Sequence, residues 1–296
     1  MKIEASESLR AAPWPGWCCS YCSAPLEARA HGLFCAAEGR WFATDRGIHR
    51  LLPEDRRHEI LPLVELEQRA RRDEGRGVGA AHGPRLERAL RLVAPGLGGG
   101  RWRVLEVGAG CCRASVHLVQ RGHQAVAVDV DLDPEDGLPA ADRLLADPSC
   151  LLRAEAETEA LPFEPGTFDL VLASGSIHRN PRLTRALVEV RRVTRRGGAL
   201  LILDSPVYRR RPDGEAAVAE RMEARRRRYG LVVPRESESG YLVRGELPDL
   251  FRSAGWTVEV HGWPGSVGEK AADVADVLLG RGRRPRFPIL VGRRDG

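Results

Sequence analysis

Residues 102–131 read WRVLEVGAGCCRASVHLVQRGHQAVAVDVD, and this stretch decides the fold. An apolar run from Val104 to Val107 predicts a buried parallel strand. A glycine turn leads from it into a segment with helical periodicity, which Gly122 ends. A second apolar run finishes at Asp129. This order of strand, glycine turn, helix, strand and acid is the unit that holds a nucleotide at a helix N-terminus and its ribose on a carboxylate.

The glycine pattern narrows the choice of ligand. The dinucleotide fingerprint G-x-G-x-x-G requires a third glycine where this chain has Arg113, so the pattern disfavours a dinucleotide. An acid precedes the turn, giving Glu106-Val-Gly108-Ala-Gly110. This pattern resembles motif I of the class I S-adenosylmethionine (SAM) methyltransferases, acid-x-G-x-G-x-G, in which the acid helps to hold the methionine end of SAM. The last glycine of the motif is Cys112 here, which we expect to fit only with a negative φ and sufficient space.

The resemblance extends to the ribose and adenine sites. The acid after the second strand corresponds to the ribose-binding position, and the segment 157–163 resembles the family stretch D-A-x-x-L-P-F, whose acid accepts a hydrogen bond from the adenine amino group. Glu155 is the alternative for that acid. The resemblance therefore implies that SAM contacts Glu106, Gly108, Ala109, Gly110, Asp129, Val130, Glu157, Thr158 and Ser174.

Candidate catalytic residues follow the next two strands. The segment Phe168–Ala173 resembles motif IV, F-D-x-V, and its C-terminal end faces the ligand because open α/β sheets bind ligands beyond the carboxyl ends of their strands. His178 is the best-placed proton acceptor there, since an ordinary histidine pKa near 6.5 suits general-base work. A structural histidine is the alternative. Asp204 is a second candidate base or a partner of the sulfonium, and Tyr208 a candidate for orienting the substrate.

Cysteine spacing near the N-terminus predicts a metal site. Cys19 and Cys22 form a C-x2-C knuckle and Cys35 follows a hairpin pattern, which is zinc-ribbon spacing because thiolates suit tetrahedral Zn²⁺. The segment resembles the small Trm112-like zinc-ribbon domain, whose D-G-I-P-x-L-L ending corresponds to residues 45–52. The resemblance implies a structural zinc.

The sequence leaves the identity of the fourth metal ligand undetermined. Glu38 stands three residues after Cys35, at the second-knuckle position of the family, and Cys18 or His31 could replace it. A ribbon that packs on its aromatic and aliphatic residues without metal is the alternative.

Composition bounds the class of protein. The chain has 296 residues and a net charge of +5, mostly from arginine, which permits an anionic partner without requiring one. No apolar run reaches the roughly 18–20 residues of a membrane span, and the N-terminus carries acids and no apolar core, so we expect no secretory signal. Seven cysteines, an odd number, argue against a disulfide framework. We predict a cytoplasmic, bacterial protein.

The remaining patterns complete a Rossmann-like sheet. Helices are predicted over residues 54–75, 84–94, 139–147, 181–195, 209–229 and 247–254, and strands over 199–203, 256–260 and 287–291. The glycine-rich stretch 75–83 predicts a linker, and residues 265–286 a short helix with an arginine cluster. This order is that of the class I family, which implies an antiparallel seventh strand.

The predicted fold is α/β: a seven-stranded class I methyltransferase sheet with a small N-terminal zinc-ribbon-like domain. The predicted boundaries are 1–55 for the ribbon, 56–83 for a helical linker and 84–296 for the methyltransferase domain. The predicted reaction is methyl transfer from SAM to an oxygen or nitrogen nucleophile of a small molecule. Alternatives are a ribosomal or transfer RNA substrate, a degenerate partner protein, and SAM chemistry other than methylation. The acceptor and the oligomeric state are left open.

Overall fold

The computed structural model describes residues 14–73, 83–230, 240–262 and 284–295. Thirteen strands are described: β1 Glu27–Arg29, β2 Gly32–Cys35, β3 Arg40–Asp45, β4 Ile48–Arg50, β5 Arg103–Val107, β6 Gln124–Asp129, β7 Leu152–Glu155, β8 Phe168–Ser174, β9 Thr194–Leu203, β10 Val207–Tyr208, β11 Leu242–Val243, β12 Thr257–His261 and β13 Ile289–Arg293. The α-helices in these ranges are α1 Glu54–Asp73, α2 Gly83–Leu97, α3 Arg113–Gln120, α4 Leu183–Val193, α5 Arg211–Tyr229 and α6 Leu247–Ser253.

One large sheet organises the chain, in the order β1-β2-β3-β4-β7-β6-β5-β8-β9-β13-β12. The strands β7, β6, β5, β8 and β9 are parallel, whereas β13 is antiparallel to both of its neighbours. This confirms the predicted α/β fold and its antiparallel last strand, but the sheet has eleven strands where seven were predicted, because β1 to β4 continue it through the pairing of β4 with β7. The carboxyl ends of the parallel strands meet at one edge, where open sheets of this kind bind ligands.

Helices on both faces explain why the central strands read as continuous apolar runs. Helix α2 buries Leu86, Leu90 and Val93 against one face, as its spacing predicts, and the buried side of α4 covers the other. A separate apolar cluster forms where α3 meets the sheet, around Val116 and Ala127.

The N-terminal strands continue the main sheet. β4 pairs in parallel with β7, with Ile48 opposite Arg153, and the hairpin β1-β2-β3 extends outward from it. Residues 27–50 therefore share a backbone hydrogen-bond network with β7 and β6. The boundaries predicted for the ribbon, the linker and the catalytic domain remain a prediction.

Several predicted boundaries shift. Residues 139–147 were expected to be helical, but only a short 3-10 helix forms, over Leu138–Arg143. β9 begins at Thr194, directly after α4 and before the glycines that were predicted to stop that helix. Tertiary pairing explains the early start, because Thr194 pairs with Phe168 of β8. The predicted linker, except Gly83, and the short helix predicted within residues 265–286 lie outside the described residues.

Among the helices in the described ranges, none combines the length and the apolar character that a membrane crossing requires.

Candidate active site

The glycine turn after β5 is shaped by a close contact. Gly108 has a φ of +61°, and a Cβ placed on it would lie 2.3 Å from the Cβ of Ser176. The Ser176 hydroxyl donates a hydrogen bond of 2.8 Å to the carbonyl of Val107, which holds the end of β8 against the turn. Only glycine meets both the left-handed backbone and the lack of space. Gly110 is also left-handed, with a φ of +49°.

Glu106 supports the helix that follows the turn. Its side chain is 3% exposed, and its Oε2 accepts hydrogen bonds from the Ser115 backbone N–H at 2.8 Å and the Ser115 hydroxyl at 2.6 Å. A carboxylate at this position satisfies an unpaired N–H in the first turn of α3 and complements the helix dipole. Glu106 thus connects β5 rigidly to the helix N-terminus.

Cys112 corrects an expectation from the sequence. A cysteine in the glycine loop was expected to need a negative φ, yet Cys112 precedes α3 with a φ of +61°. A left-handed non-glycine residue costs about 1–2 kcal/mol. Burial offsets this cost, since the side chain is fully buried in the cluster with Ala109 and Val116. Burial also raises the pKa of the Cys112 thiol well above its usual value, so the thiol is neutral.

Asp129 brings the ribose-site candidates together. Its Oδ2 accepts a hydrogen bond of 2.7 Å from Gly110 N–H, while Oδ1 accepts from Val130 N–H at 2.7 Å and Asp131 N–H at 2.9 Å. Ala109 N–H donates to the Val128 carbonyl at 3.1 Å. Burial, and then the charge of Asp131, raises the pKa of Asp129 despite these hydrogen bonds.

The adenine-site candidates lie next to Asp129, because Asp129 and Glu155 are register partners in β6 and β7. Glu157 and Thr158 follow in a turn closed by Ala160 N–H donating to the Glu157 carbonyl at 3.2 Å. Glu155 is 1% exposed and Glu157 is less buried, so Glu157 is the more accessible of the two candidate acids.

Helix α1 covers this acidic edge, which the sequence reasoning missed. Arg57 binds both Glu155 carboxylate oxygens, at 3.0 and 2.6 Å, and Arg56 binds both oxygens of Glu157, at 2.9 and 2.8 Å. Further along the helix, Gln68 and Arg71 donate to Asp131, and Arg72 lies 3.8 Å from Asp133. The basic residues along α1 were the available signal, but their spacing does not identify the acids that they contact.

The other end of the site is formed by the ends of β8 and β9. The Ser174 hydroxyl donates to Asp204 Oδ2 at 2.9 Å, so two of the predicted site residues are in contact. Asp204 is itself left-handed, with a φ of +53°, and its Oδ1 lies 3.3 Å from the guanidinium Nε of Arg85 on α2. Arg85 therefore partly balances the negative charge of Asp204.

His178 is neutral, which corrects the expected pKa near 6.5. Burial, together with the charges of Arg179 and Arg221, lowers the pKa of His178 to about 3. The ring Nδ1 shares a hydrogen bond of 3.0 Å with the Ser205 hydroxyl. Such a residue is a poor general base, and a neutral imidazole serves better to orient a polar group. Tyr208 lies nearby in β10, and burial is the largest cause of its raised pKa.

Three of the four predicted metal ligands come together. The sulfurs of Cys19, Cys22 and Cys35 all lie within 4.8 Å of one another, and the Cys22 and Cys35 sulfurs are 3.6 Å apart. Over the part of the chain that the structure describes, no other His, Cys, Asp or Glu joins this group. Glu38, predicted as the fourth ligand, is exposed, and its contribution is different: its backbone N–H donates to the Cys35 sulfur. The carboxylate lies outside the group because the tight turn after Cys35 presents backbone amides.

Backbone N–H groups contact two of these sulfurs. The Ala24 N–H donates to the Cys22 sulfur, and the Ala37 N–H joins that of Glu38 on Cys35. The donor set, three sulfurs in tight turns, fits zinc.

Comparison with known proteins agrees with this geometry. Residues 105–202 match the family described as "Methyltransferase domain". Over 107 residues the chain is 36% identical to a ubiquinone/menaquinone biosynthesis C-methyltransferase of Rhizobium leguminosarum bv. trifolii, an alignment that covers 35% of this chain and 41% of that protein. The chain thus spans about two fifths of the length of this curated relative.

Two solved structures share the fold. A Burkholderia thailandensis 1,6-didemethyltoxoflavin-N1-methyltransferase, with bound 1,6-didemethyltoxoflavin and S-adenosylhomocysteine, aligns over 81% of this chain and 90% of its own, with 19% identity and a TM-score of 0.52. The YcgJ protein of Bacillus subtilis aligns over 71% and 99%, with 16% identity and a TM-score of 0.51. The chain therefore shares its fold with these two structures, and residues 105–202 match a methyltransferase domain.

Proposed function

We propose that this protein is a SAM-dependent methyltransferase. The observation that carries the proposal is the contact between the glycine turn and the neighbouring strand ends, in which Gly108 packs on Ser176 and Gly110 donates to Asp129. This arrangement lies at the carboxyl edge of a class I sheet and within the segment that matches a methyltransferase domain.

The residues present fit the cofactor. The turn residues Gly108, Ala109 and Gly110 let the backbone approach a ligand, and Glu106 holds α3 in place behind them. Asp129 accepts ribose hydroxyls, because its Oδ2 has a single protein hydrogen-bond donor and a carboxylate oxygen accepts two. Val130 and Glu157 would hold the nucleoside, and the Thr158 backbone N–H would donate to the adenine ring.

Bound SAM supplies a methyl group already activated by the positive sulfonium, so positioning carries most of the catalysis. Ser174 and Asp204 line the methyl-donor side. Asp204 offers a negative charge that Arg85 partly balances. Neutral His178, fixed by Ser205, orients the acceptor through a hydrogen bond.

A small-molecule acceptor is favoured over RNA. The arginine run at the end of α5 is largely neutralised within the protein, since Arg226 and Arg227 bind Glu223, Arg225 binds Glu67, and Arg228 lies 3.3 Å from Asp73. Little of this positive charge is left for phosphates. The Burkholderia neighbour and the quinone-biosynthesis relative point the same way. We place the protein in the cytoplasm.

The same proposal includes a structural zinc on Cys19, Cys22 and Cys35. Three thiolates in tight turns are a favourable donor set for this ion. Metal analysis of purified protein should give close to one zinc per chain. Cys19→Ser should lose it, whereas Cys150→Ser, at an exposed cysteine outside the group, should retain it. Metal-free wild-type protein that takes up no added zinc would refute the site.

Turnover tests the enzymatic proposal. Protein incubated with SAM and a panel of phenols, amines and quinone precursors should release S-adenosylhomocysteine in an acceptor-dependent manner. His178→Gln should retain SAM binding and lose acceptor-dependent turnover. A protein that binds SAM and cyclises it, without any acceptor, would support non-methylating SAM chemistry. A protein that binds no SAM would support a partner role.

A further inference from the structure

The 156–163 loop, which runs from the end of β7 through Glu157 to Phe163, is in contact with the N-terminal cysteines. Cys18 N–H donates to the Pro162 carbonyl at 2.9 Å, and Glu164 N–H donates to the Gly16 carbonyl at 3.3 Å. Trp17 and Phe163 form an isolated antiparallel bridge. The segment 16–18 therefore lies along the end of this loop as a short extra strand.

Side chains reinforce this backbone contact. The Trp17 ring lies 5.0 Å from the Phe163 ring and 4.8 Å from the His49 ring, between centroids. Phe163 is fully buried and also packs edge-on against Phe168 of β8 at 4.9 Å. Trp17 thus connects the N-terminal segment with the base of the loop.

The segment 16–18 is held in turn by the cysteine turn. Cys19 N–H donates to the Ala24 carbonyl at 2.8 Å, and Ser23 N–H donates back to the Cys19 carbonyl at 2.9 Å. Leu26 N–H donates to the Trp17 carbonyl at 2.8 Å. Since Cys19 directly follows Trp17 and Cys18, an ion on the three sulfurs fixes the turn from which this segment emerges.

A second connection reaches the start of the same loop. The Ser20 hydroxyl, within the cysteine turn, donates to the Leu51 carbonyl, and Leu51 N–H donates to the Glu155 carbonyl at 3.1 Å. β4 runs beside β7 up to the Arg50–Glu155 pair, where Arg50 Nε lies 2.7 Å from the carboxylate. Both ends of the loop are thus attached to the unit that holds the cysteines.

We infer that the metal site on Cys19, Cys22 and Cys35 is the outer support of the 156–163 loop, and that occupancy of this site sets the affinity of the protein for the adenosine half of its cofactor. The inference rests on the proposed function for the part that concerns the cofactor. It gives Trp17 the role of a positioning residue, since Trp17 acts on the cofactor through Phe163 and the loop. It also explains why a hairpin and a catalytic sheet are built as one continuous strand array.

The size of the effect follows from loop ordering. Without the ion, the turn loosens and the loop must be ordered when the cofactor binds. Ordering one backbone residue weakens binding about tenfold. Arg56 and Arg57 still hold Glu157 and Glu155 from the side of α1, so the loss stays near tenfold and the site is not abolished.

Hydrogen exchange tests the inference without any cofactor. Zinc-loaded and chelator-treated protein should differ in amide exchange at two places, residues 17–26 and 157–163, while the central strand β5 stays equally protected. Unchanged exchange at 157–163 after measured loss of zinc would overturn the inference, as would failure of the wild type to bind zinc. Because this readout needs no cofactor, it separates failure of the inference from failure of the proposed function.

Two variants distinguish a loss of support for the 156–163 loop from a general loss of protein stability. Trp17→Ala should retain zinc, accelerate exchange at 157–163 and weaken S-adenosylhomocysteine binding about tenfold, whereas Trp17→Phe should restore protection and affinity. Cys150→Ser, with its thiol outside the group, is the control for cysteine replacement. Equal affinity in zinc-loaded and zinc-free protein would contradict the proposed coupling. Wild-type protein that binds no S-adenosylhomocysteine would refute the proposed function. Hydrogen exchange would still show whether the metal site supports the 156–163 loop.

Discussion

Replacement of Gly108 by alanine tests whether the glycine turn is built for close approach. An alanine there meets two costs. Its φ of +61° costs an L-residue about 1–2 kcal/mol. Its Cβ would lie 2.3 Å from the Ser176 Cβ and 2.8 Å from the Ser176 hydroxyl oxygen, so Ser176 must move and break its hydrogen bond to the Val107 carbonyl. Overpacking of this kind costs about 1–3 kcal/mol, and the lost hydrogen bond about 1 kcal/mol.

Gly108→Ala should therefore lower the free energy of unfolding by roughly 3–6 kcal/mol. The matched control is Gly122→Ala at the far end of α3, where φ is +85° and a Cβ meets nothing within 4 Å. Gly122→Ala should lower the free energy of unfolding only by the cost of its left-handed backbone, about 1–2 kcal/mol. Urea unfolding of both variants gives the comparison, and calorimetry with S-adenosylhomocysteine should show binding only in the control.

A second substitution tests the contact itself. Once Ser176 is replaced by glycine, the nearest Ser176 atom left to an alanine at position 108 is the Cα, 3.7 Å away. The double variant Gly108→Ala with Ser176→Gly should therefore be more stable than the sum of the two single changes predicts. Equal losses in Gly108→Ala and Gly122→Ala would refute the reasoning, as would strict additivity in the double variant.

Three further predictions use other parts of the site. Burial lowers the pKa of His178 to about 3, so unfolding exposes a histidine that takes up a proton below about pH 6.5. His178 should therefore contribute about 2 kcal/mol to the loss of stability between pH 7 and pH 5. His178→Gln should reduce the pH dependence by this amount, while His49 and His123, whose pKa values are also lowered by burial, keep their contributions; an unchanged slope would contradict the prediction. Glu106→Ala leaves two buried donors of Ser115 unpaired and should cost roughly 3 kcal/mol in urea unfolding, whereas Glu106→Gln keeps an acceptor and should cost less. RNA binding should be weak, and its affinity should change little between about 50 and 200 mM salt, because the α5 arginines are paired with acids. A slope of log affinity against log salt concentration equivalent to about six or more phosphate contacts would favour the RNA alternative.

Local sequence patterns were sufficient to predict much of the fold. The runs around Val107 and Asp129, separated by a glycine turn and a short helix, allowed strand, turn and helix to be predicted because each signal lies within a few residues. The pairing of β4 with β7 joins residues about a hundred positions apart, and no local pattern predicts such a contact. The sequence alone therefore indicated a ribbon and a sheet without indicating that they share hydrogen bonds.

The sequence predicted which residues form the site better than it predicted the surroundings of each residue. Asp129 was expected beside the cofactor from its position after a strand, and Glu157 from the resemblance of residues 157–163 to a family motif. That Arg56 binds both oxygens of Glu157 depends on where α1 lies in three dimensions. The neutral state of His178 depends in the same way on burial, which a sequence spacing does not contain. The left-handed Cys112 shows that a buried small side chain can occupy a conformation normally left to glycine.

Calorimetric titration of the purified protein with SAM and with S-adenosylhomocysteine decides whether this chain binds the proposed cofactor. We expect one site per chain with micromolar affinity, abolished by Gly108→Ala and retained by Gly122→Ala. The absence of heat for either compound with folded, zinc-loaded protein would contradict the claim that the turn at Gly108 and the carboxylate of Asp129 form a SAM site.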